Sequence, residues 1–397
     1  MPRAISAFTG LLALCITVLL TVAHTAAKDT RKTENEAKPV LALTIRCDEA
    51  TLKVGDEIPI TFVIENEGYS HYKYMDRNYD RSGRMPEYKL SAVNERGKAV
   101  ADPRAKRLGG IGGGLASERS LAPGKSFTKT IALNRWALLT IPGAYRVTGT
   151  YYSKGGRRAI VSPPIKIKLQ PRTDDEMAAY VEELSTQLAN TRDDQARAAL
   201  VRKLMYTCDR QIVPALIKAM YKSDAASYWA GEAFHYYLPH DRKIDHALLN
   251  AAAKRGLAIG MLWTFKQRGF TREQIKPLIE VSLSQDHPPA WLEGALAAQQ
   301  YADDRFTPRL IAIATDPKST ARPQAIHALA LNRTDESVAT LKILLREPDL
   351  PNPKGRTIRR TTEDAIRAAY LYRGNTEGRR LRKDDFDAKY QKPSDAR

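Results

Sequence analysis

A motif of about 31 residues returns five times in the second half of the chain, and this repeat constrains the fold more than any other feature. Its copies, separated by 32, 31, 31 and 32 residues, start from the apolar residues Ile212, Ile244, Ile275, Phe306 and Val338. Three residues before each of these, the sequence has Asp209, Asp241, Arg272, Asp303 and Asp335. Repetition at this interval predicts a row of similar units, each packed on the next.

Each copy has the pattern of a helix pair. Aspartate caps the free amides at a helix start. Proline follows in the predicted first turn, as in Pro214, Pro277 and Pro308, where its missing N–H had no partner. After a short turn, each copy continues with a second, alanine-rich segment. Because small residues let helices approach closely, we expect the second helices to pack tightly.

The repeat extends to a divergent first pair. Val181 lies 31 residues before Ile212, and Thr173 is a predicted N-cap with Glu176 three residues later. Six helix pairs over 173–374, stacked in series, predict an α-solenoid. The segment resembles short HEAT-type repeats, of the kind first named in phycobilisome lyases, most clearly in ARPQAIHALALNRTDESVATLKILLREPD. That resemblance implies an α-α superhelix of the armadillo type but no particular ligand, since the architecture serves scaffolds, inhibitors and enzyme accessory proteins alike.

The first half of the chain has the period of strands. Segments such as LALTIRC, IPITFVIEN, SFTKTIAL and IKIKL alternate apolar and polar residues, and turn sequences such as KVGDE and NERG separate them. This predicts a β-sandwich over 40–170 and a multidomain β + α chain. The segment resembles the immunoglobulin-like domains of exported bacterial proteins. LKVGDEIPITFVIENEG and LAPGKSF also resemble the bacterial intracellular proteinase inhibitors.

The N-terminus has the pattern of a secretory signal peptide. Arg3 precedes the apolar run LLALCITVLLTVA, and small residues follow up to Ala27. The run is too short to cross a bilayer comfortably, so an uncleaved anchor is the weaker interpretation. We therefore expect a signal peptide at 1–27, a mobile lead-in at 28–39 and export to the periplasm or the extracellular space of a bacterium. A basic polar tail is expected at 375–397, and no later stretch is long enough to span a membrane.

The formal charge of +18 favours polyanionic partners. Export makes nucleic acid an unlikely partner, and leaves anionic polysaccharide or lipid headgroups as possible ones alongside envelope proteins. The alternative is that the charge only keeps the protein soluble. Outside the predicted signal peptide the cysteines are Cys47 and Cys208, which lie in different predicted domains, so a disulfide between them is not indicated.

The predicted loop at 69–87 allows two interpretations. Its oxygen-bearing residues have the spacing of a calcium loop at Asp76, Asn78, Asp80, Ser82 and Glu87. Arg81, however, replaces the glycine needed for the sharp turn. The same loop carries Tyr72, Tyr74 and Tyr79, which are candidate recognition residues because tyrosine makes rigid amphipathic contacts. Alternatively, these tyrosines cover the end of the sandwich.

No catalytic or cofactor motif is recognisable. APGKS at 122–126 precedes a predicted strand, not the helix that a phosphate loop requires. His235, His240 and His246, with Asp241 and Glu232 nearby, match no zinc spacing. We therefore expect no catalytic residue, no cofactor and no metal.

The expected function is binding. Candidate contact residues lie in or near the second helices, at Trp229, Tyr236, Trp263, Trp291, Arg322, Arg359 and Arg360. We expect a non-catalytic, exported scaffold that takes a protein partner on the solenoid, with the sandwich as a second recognition module or a spacer. One alternative is an inhibitor or accessory subunit of an exported enzyme, acting through the tyrosine-rich loop. The other is a hydrolase or metal enzyme, which predicts that the three histidines converge with a carboxylate.

Overall fold

The structure, a computed structural model, describes residues 39–77, 84–105, 116–153, 159–222, 225–286, 288–347 and 357–371. It divides the chain into two compact units, Met1–Arg172 and Thr173–Arg397. Strands dominate the first unit and helices the second, so the predicted order of β before α is confirmed. The predicted signal peptide at 1–27 and the basic tail at 375–397 lie outside the described residues. Within the described ranges, no helix is both long and apolar enough to span a membrane.

The described part of the first unit, called the β unit below, contains three sheets. Its strands are β1 (Leu41–Arg46), β2 (Leu52–Lys53), β3 (Pro59–Asn66), β4 (Tyr72–Arg77), β5 (Tyr88–Asn94), β6 (Ala116–Leu121), β7 (Ser126–Ala132), β8 (Gly143–Tyr152), β9 (Ala159–Val161) and β10 (Ile165–Gln170). One sheet has the order β1-β3-β7, and a second has the order β2-β10-β8-β5 with β9 on β8. Strands β4 and β6 pair separately, and β2 pairs with β10 in parallel.

The two larger sheets share one core. Alternate residues of each strand point inward, as the period of 2 predicts, and Phe62 on β3 and Val147 on β8 are completely buried. The two sheets approach each other closely at Gly149 on β8, because a Cβ there would lie 2.6 Å from Ile45 and 2.9 Å from Phe62. Only glycine fits this crossing without displacing the side chains of the opposite sheet.

The second unit, called the helical unit below, consists of α-helices joined by short turns. In its described part these are α1 (Asp174–Asn190), α2 (Asp194–Thr207), α3 (Val213–Met220), α4 (Ala225–Tyr236), α5 (Arg242–Arg255), α6 (Met261–Gln267), α7 (Arg272–Ser284), α8 (Pro288–Ala298), α9 (Thr307–Thr315), α10 (Arg322–Asn332), α11 (Asp335–Leu344) and α12 (Ile358–Leu371). Short 3-10 turns, Arg210–Ile212 and Asp304–Phe306, precede α3 and α9.

The helices form two layers. Most odd-numbered helices contact the next odd-numbered helix, most even-numbered helices contact the next even-numbered helix, and most odd helices also pack on the even helix that follows. Buried alanines supply the close contacts of the even layer, for example Ala230 and Ala233 on α4 and Ala325 and Ala328 on α10. The alanine-rich segments thus pack as expected, because a methyl side chain lets two helix backbones approach.

Most of the predicted helix starts are confirmed, but Asp335 is not the cap of α11, because the side chain of Thr334 accepts the hydrogen bond from the Ser337 amide, and one proline position is also wrong. Thr173 and Glu176 form a capping box at α1, and Asp209, Asp241 and Asp303 each accept a hydrogen bond from a backbone amide two residues later. Pro277, however, lies inside α7 and not in its first turn. A second capping box, made by Thr271 with Gln274, starts that helix earlier than the proline position predicts.

Candidate binding surface on the even-numbered helices

An exposed tryptophan is the centre of the candidate surface. Trp263 on α6 is 53% exposed, which is unusual for so large an apolar side chain. The edge of the neighbouring His235 ring meets it at a centroid distance of 6.3 Å. His235 in turn stacks on Tyr236 at 3.7 Å. Two of the predicted contact residues, Tyr236 and Trp263, are therefore brought together through a histidine on α4.

The surface extends along α4 toward its N-terminus. Tyr228 is 39% exposed and precedes His235 by seven residues, or two helical turns, so both side chains lie on one face of α4. Trp229, by contrast, is only 8% exposed and packs edge-on against Tyr228, with the Arg202 guanidinium 5.4 Å from its ring. Trp229 therefore packs against Tyr228 from the buried side and offers little surface area to a partner.

The surface also continues onto α8. Lys266, one turn after Trp263, donates a hydrogen bond to the side-chain oxygen of Gln300, and its ammonium lies 5.3 Å from the Tyr301 ring. Burial lowers the pKa of Lys266 below its usual value. Leu296 on α8 is 36% exposed. We call this set the aromatic surface, and it consists of Tyr228, His235, Tyr236, Trp263, Lys266 and Leu296.

The other predicted residues of the helical unit lie elsewhere. Trp291 is half-buried, and its indole N–H donates to the Gln285 carbonyl. Arg322 is buried, donates to the Ala314 carbonyl at 2.6 Å and pairs with Glu347, so it joins elements of the helical unit and is not open to a partner. Arg359 and Arg360 are exposed at the start of α12.

The tyrosines of the β unit are placed differently from the expectation for a recognition loop. Tyr72 is buried on β4, and its hydroxyl lies 3.1 Å from that of Tyr151. Tyr74 stacks on Phe127 at 4.1 Å. Both side chains point inward because they occupy alternate positions of one strand, which removes them from the candidate contacts. Tyr79 lies outside the described residues.

Two of the proposed calcium ligands form ion pairs with cationic side chains of the protein. Asp76 pairs with Arg119 at 2.9 Å, and Glu87 pairs with Arg77 at 2.7 Å. Asn78, Asp80 and Ser82 lie outside the described residues.

The histidines do not form a common site. His240 and His246 are exposed, and the ring of His246 is 3.1 Å from the Asn250 amide. Within the described part of the chain, no three His, Cys, Asp or Glu side chains are grouped closely enough to hold a metal ion. Cys47 and Cys208 are both free thiols, and burial raises the pKa of Cys208 to about 12.

Several residues of the aromatic surface were not identified from the sequence. Tyr228 and His235 could have been grouped by their helical spacing, since a separation of seven places side chains on one face. Leu296 and Lys266 carry no such signal, because their neighbours come from a different helix pair. A half-buried carboxyl, Glu293 on α8, was also missed, and burial raises its pKa to about 7.

Comparison with known proteins adds little to this description. No protein family model matches the chain, and no curated protein sequence matches it. Solved structures that match in part include human deoxyhypusine hydroxylase, with 13% identity over 49% of this chain and 74% of that one and a TM-score of 0.24. The complex of CpcE and CpcF of phycocyanin lyase from Nostoc sp. matches with 15% identity over 48% of this chain and 83% of that one, with a TM-score of 0.22. A β-glucosidase from Erythrobacter marinus also matches (13% identity, TM-score 0.20), over 33% of this chain and only 16% of that one. Similarities this weak carry no functional argument.

Proposed function

We propose that the protein is a non-catalytic, exported scaffold that binds a protein partner of the cell envelope through the aromatic surface. The observation that carries the proposal is the exposure of Trp263 beside the stacked pair of His235 and Tyr236. Tryptophan and tyrosine dominate the energetics of protein interfaces, because they bury a large area while losing few rotamers. Lys266 adds a cation next to the apolar centre.

The fold is part of the proposal. The helix pairs are HEAT-type repeats in this interpretation, supported by their two layers and by the main helix contacts of the described residues, which join neighbouring pairs. The β unit is an immunoglobulin-like sandwich, supported by the division of its strands into β1-β3-β7 and β5-β8-β10 with β2 beside β10. The Tyr145 hydroxyl donates to the Ile141 carbonyl at 2.5 Å near the start of β8, which is the geometry of a tyrosine corner.

The proposal predicts that one exposed aromatic residue decides capture of the partner. Protein lacking residues 1–27 is immobilised and exposed to an envelope extract of the producing cell. We expect one polypeptide to remain bound at ~0.5 M salt, where exposed charges are heavily screened, and to be lost from the Trp263→Ala variant.

Ile343→Ala is the matched control, because Ile343 is 62% exposed on the odd-numbered helix α11. Equal loss of the polypeptide from both variants would remove the aromatic surface from the proposal. Bound material that is only glycan or lipid, released by modest salt, would contradict a protein partner. Recovery of the protein from the cytoplasm of the producing cell would contradict export.

A further inference from the structure

A groove separate from the aromatic surface lies on the odd-numbered layer, between α1 and α3. It has a volume of about 700 Å³. Its apolar wall includes Leu188 on α1 and Ala215 and Ala219 on α3, of which Leu188 and Ala219 are buried. Thr191 and Arg192, in the turn between α1 and α2, also line the groove.

The groove is positively charged although one of its walls is an acidic helix. Its lining includes four cationic side chains and one carboxylate, namely Arg192, Arg197, Lys218, Lys222 and Asp194. Helix α1 itself has no lysine or arginine, so the cations come from the following turn, from α2 and α3, and from the residues just after α3. The positive charge of the groove therefore comes entirely from residues outside α1.

One of the four cations is built into the fold. Arg197 is 8% exposed, and its guanidinium donates to the Leu188 carbonyl at 2.9 Å and the Thr191 carbonyl at 3.3 Å. These bonds hold the α1–α2 turn against the end of α1. A cation held away from water is weakly screened, so its field at the groove is stronger than that of an exposed side chain.

The excess of cationic over anionic side chains indicates what the groove can hold. Lys218 lies in the last turn of α3, and Lys222 lies two residues after that helix ends. In an extended polypeptide, side chains on the same side recur at ~6.6 Å. An extended segment with carboxylates at alternate residues presents them all on one side, where they can face Lys218 and Lys222, while its backbone lies on Ala215 and Leu188.

We propose that this groove binds an extended acidic segment of a partner polypeptide, with its carboxylates on Lys218, Lys222 and Arg192. The inference does not depend on the aromatic surface, because the two sites belong to different layers of the helical unit. A partner that used both sites would contact both layers.

The test uses a defined peptide and charge-matched variants. A fluorescein-labelled peptide Glu-Ala-Glu-Ala-Glu-Ala is titrated with the protein at ~20 mM ionic strength, where attraction between exposed charges is weakly screened, and binding is followed by fluorescence anisotropy. We expect saturable binding, with the corresponding Gln-Ala peptide at least about tenfold weaker. Lys218→Glu with Lys222→Glu should weaken binding about tenfold, because each reversal replaces an attraction with a repulsion.

The control variant is Lys254→Glu with Lys342→Glu, which makes the same charge change at exposed positions of α5 and α11. It should change the affinity less than about twofold. Equal weakening by the two double variants, or no binding of the acidic peptide, would overturn the proposal. So would displacement of the peptide by an equal concentration of succinate, which would indicate a small dicarboxylate site. Binding of dextran sulfate in place of the peptide, with dependence on Lys218 and Lys222, would assign the groove to a polysaccharide instead.

Discussion

Aromatic side chains on the core strands of the β unit and on the outer face of α4 and α6 in the helical unit lie in opposite environments. In the β unit, Phe62, Tyr72 and Tyr151 are buried. In the helical unit, Tyr228 and Trp263 are exposed. A strand of a sandwich points every second side chain into the core between the sheets. A helix in a two-layer stack keeps one face exposed to solvent. An aromatic residue in a short sandwich strand is therefore a poor candidate for recognition, and one on the outer face of a stacked helix is a better one.

The largest effect should come from removing a core ring. Phe62→Ala is expected to lower the free energy of unfolding of the β unit by ~3–5 kcal/mol, because it leaves a cavity between the two sheets. Trp263→Ala makes a change of similar size on the surface and should alter stability by less than ~1 kcal/mol. Urea unfolding of both variants checks this. A large loss of stability in Trp263→Ala would mean that the residue is structural.

The next effect concerns a buried charge in the helical unit. The side chain of Arg268 is fully buried, and its guanidinium donates to Asp245 at 2.5 Å, to the Phe234 carbonyl at 2.6 Å and to the Pro239 carbonyl at 2.9 Å. Arg268→Ala should cost ~3 kcal/mol, because one buried and two partly buried acceptors lose their donor.

Arg210, 63% exposed and paired with Asp241 at 2.9 Å, provides the matched comparison for this prediction. Arg210→Ala should cost less than ~1 kcal/mol, as is usual for surface ion pairs. Similar costs for the two variants, measured by thermal unfolding, would show that burial does not set the strength of these contacts.

The pH dependence of stability should come from the helical unit in the neutral range. Glu293 lines a cavity of about 170 Å³ together with Arg255 and Tyr221, and burial raises its pKa from an ordinary 4.5 to about 7. The folded state therefore holds this proton more tightly than the unfolded state does. Its contribution is fully present below about pH 4.5 and is lost as the pH rises to about 7.

Glu293→Gln removes this titration. Relative to the wild type, the variant should gain ~1–3 kcal/mol in stability between pH 5 and pH 8. Taking the difference between the two proteins at each pH cancels the contribution of all other groups. A difference that stays constant over this range would show that burial does not hold the proton on Glu293.

The smallest effect separates packing from recognition in the β unit. Tyr72→Phe removes one hydroxyl from the buried pair with Tyr151 and should cost ~1 kcal/mol. Tyr69→Phe, at a residue that is 92% exposed, should cost nothing measurable. Neither change should affect capture of the partner. Loss of capture in Tyr72→Phe without loss of stability would restore the recognition hypothesis for this tyrosine.

The order of the elements could be predicted from local patterns. The change of period near Thr173, the capping box with Glu176 and the aspartate caps at Asp209, Asp241 and Asp303 all depend on residues a few positions apart. The inward orientation of Tyr72 and Tyr74 could also have been predicted from the sequence, since the charged residue Lys73 lies between them in an alternating pattern. The hypothesis that Tyr72 and Tyr74 recognise a partner depended on their residue type and neglected this alternation.

The features that escaped prediction depend on contacts between distant segments. Arg268 is one of many arginines in the sequence, and its burial follows from its contacts with α5 and with the turn after α4. Pro277 has the spacing of a first-turn proline, but the capping box at Thr271 starts the helix earlier. The groove between α1 and α3 needs two helix pairs to exist, so no single pair predicts it.

In the described residues the main helix contacts join neighbouring pairs, and this limits how far a local change can travel. A distortion at α12 reaches α1 only through the four pairs between their own, and each pair opens with a free energy set by itself and its neighbours. A partner held on α4, α6 and α8 would therefore slow amide exchange in the middle of the array. It would leave fraying at the terminal pairs unchanged, and those pairs would remain the first targets of a protease.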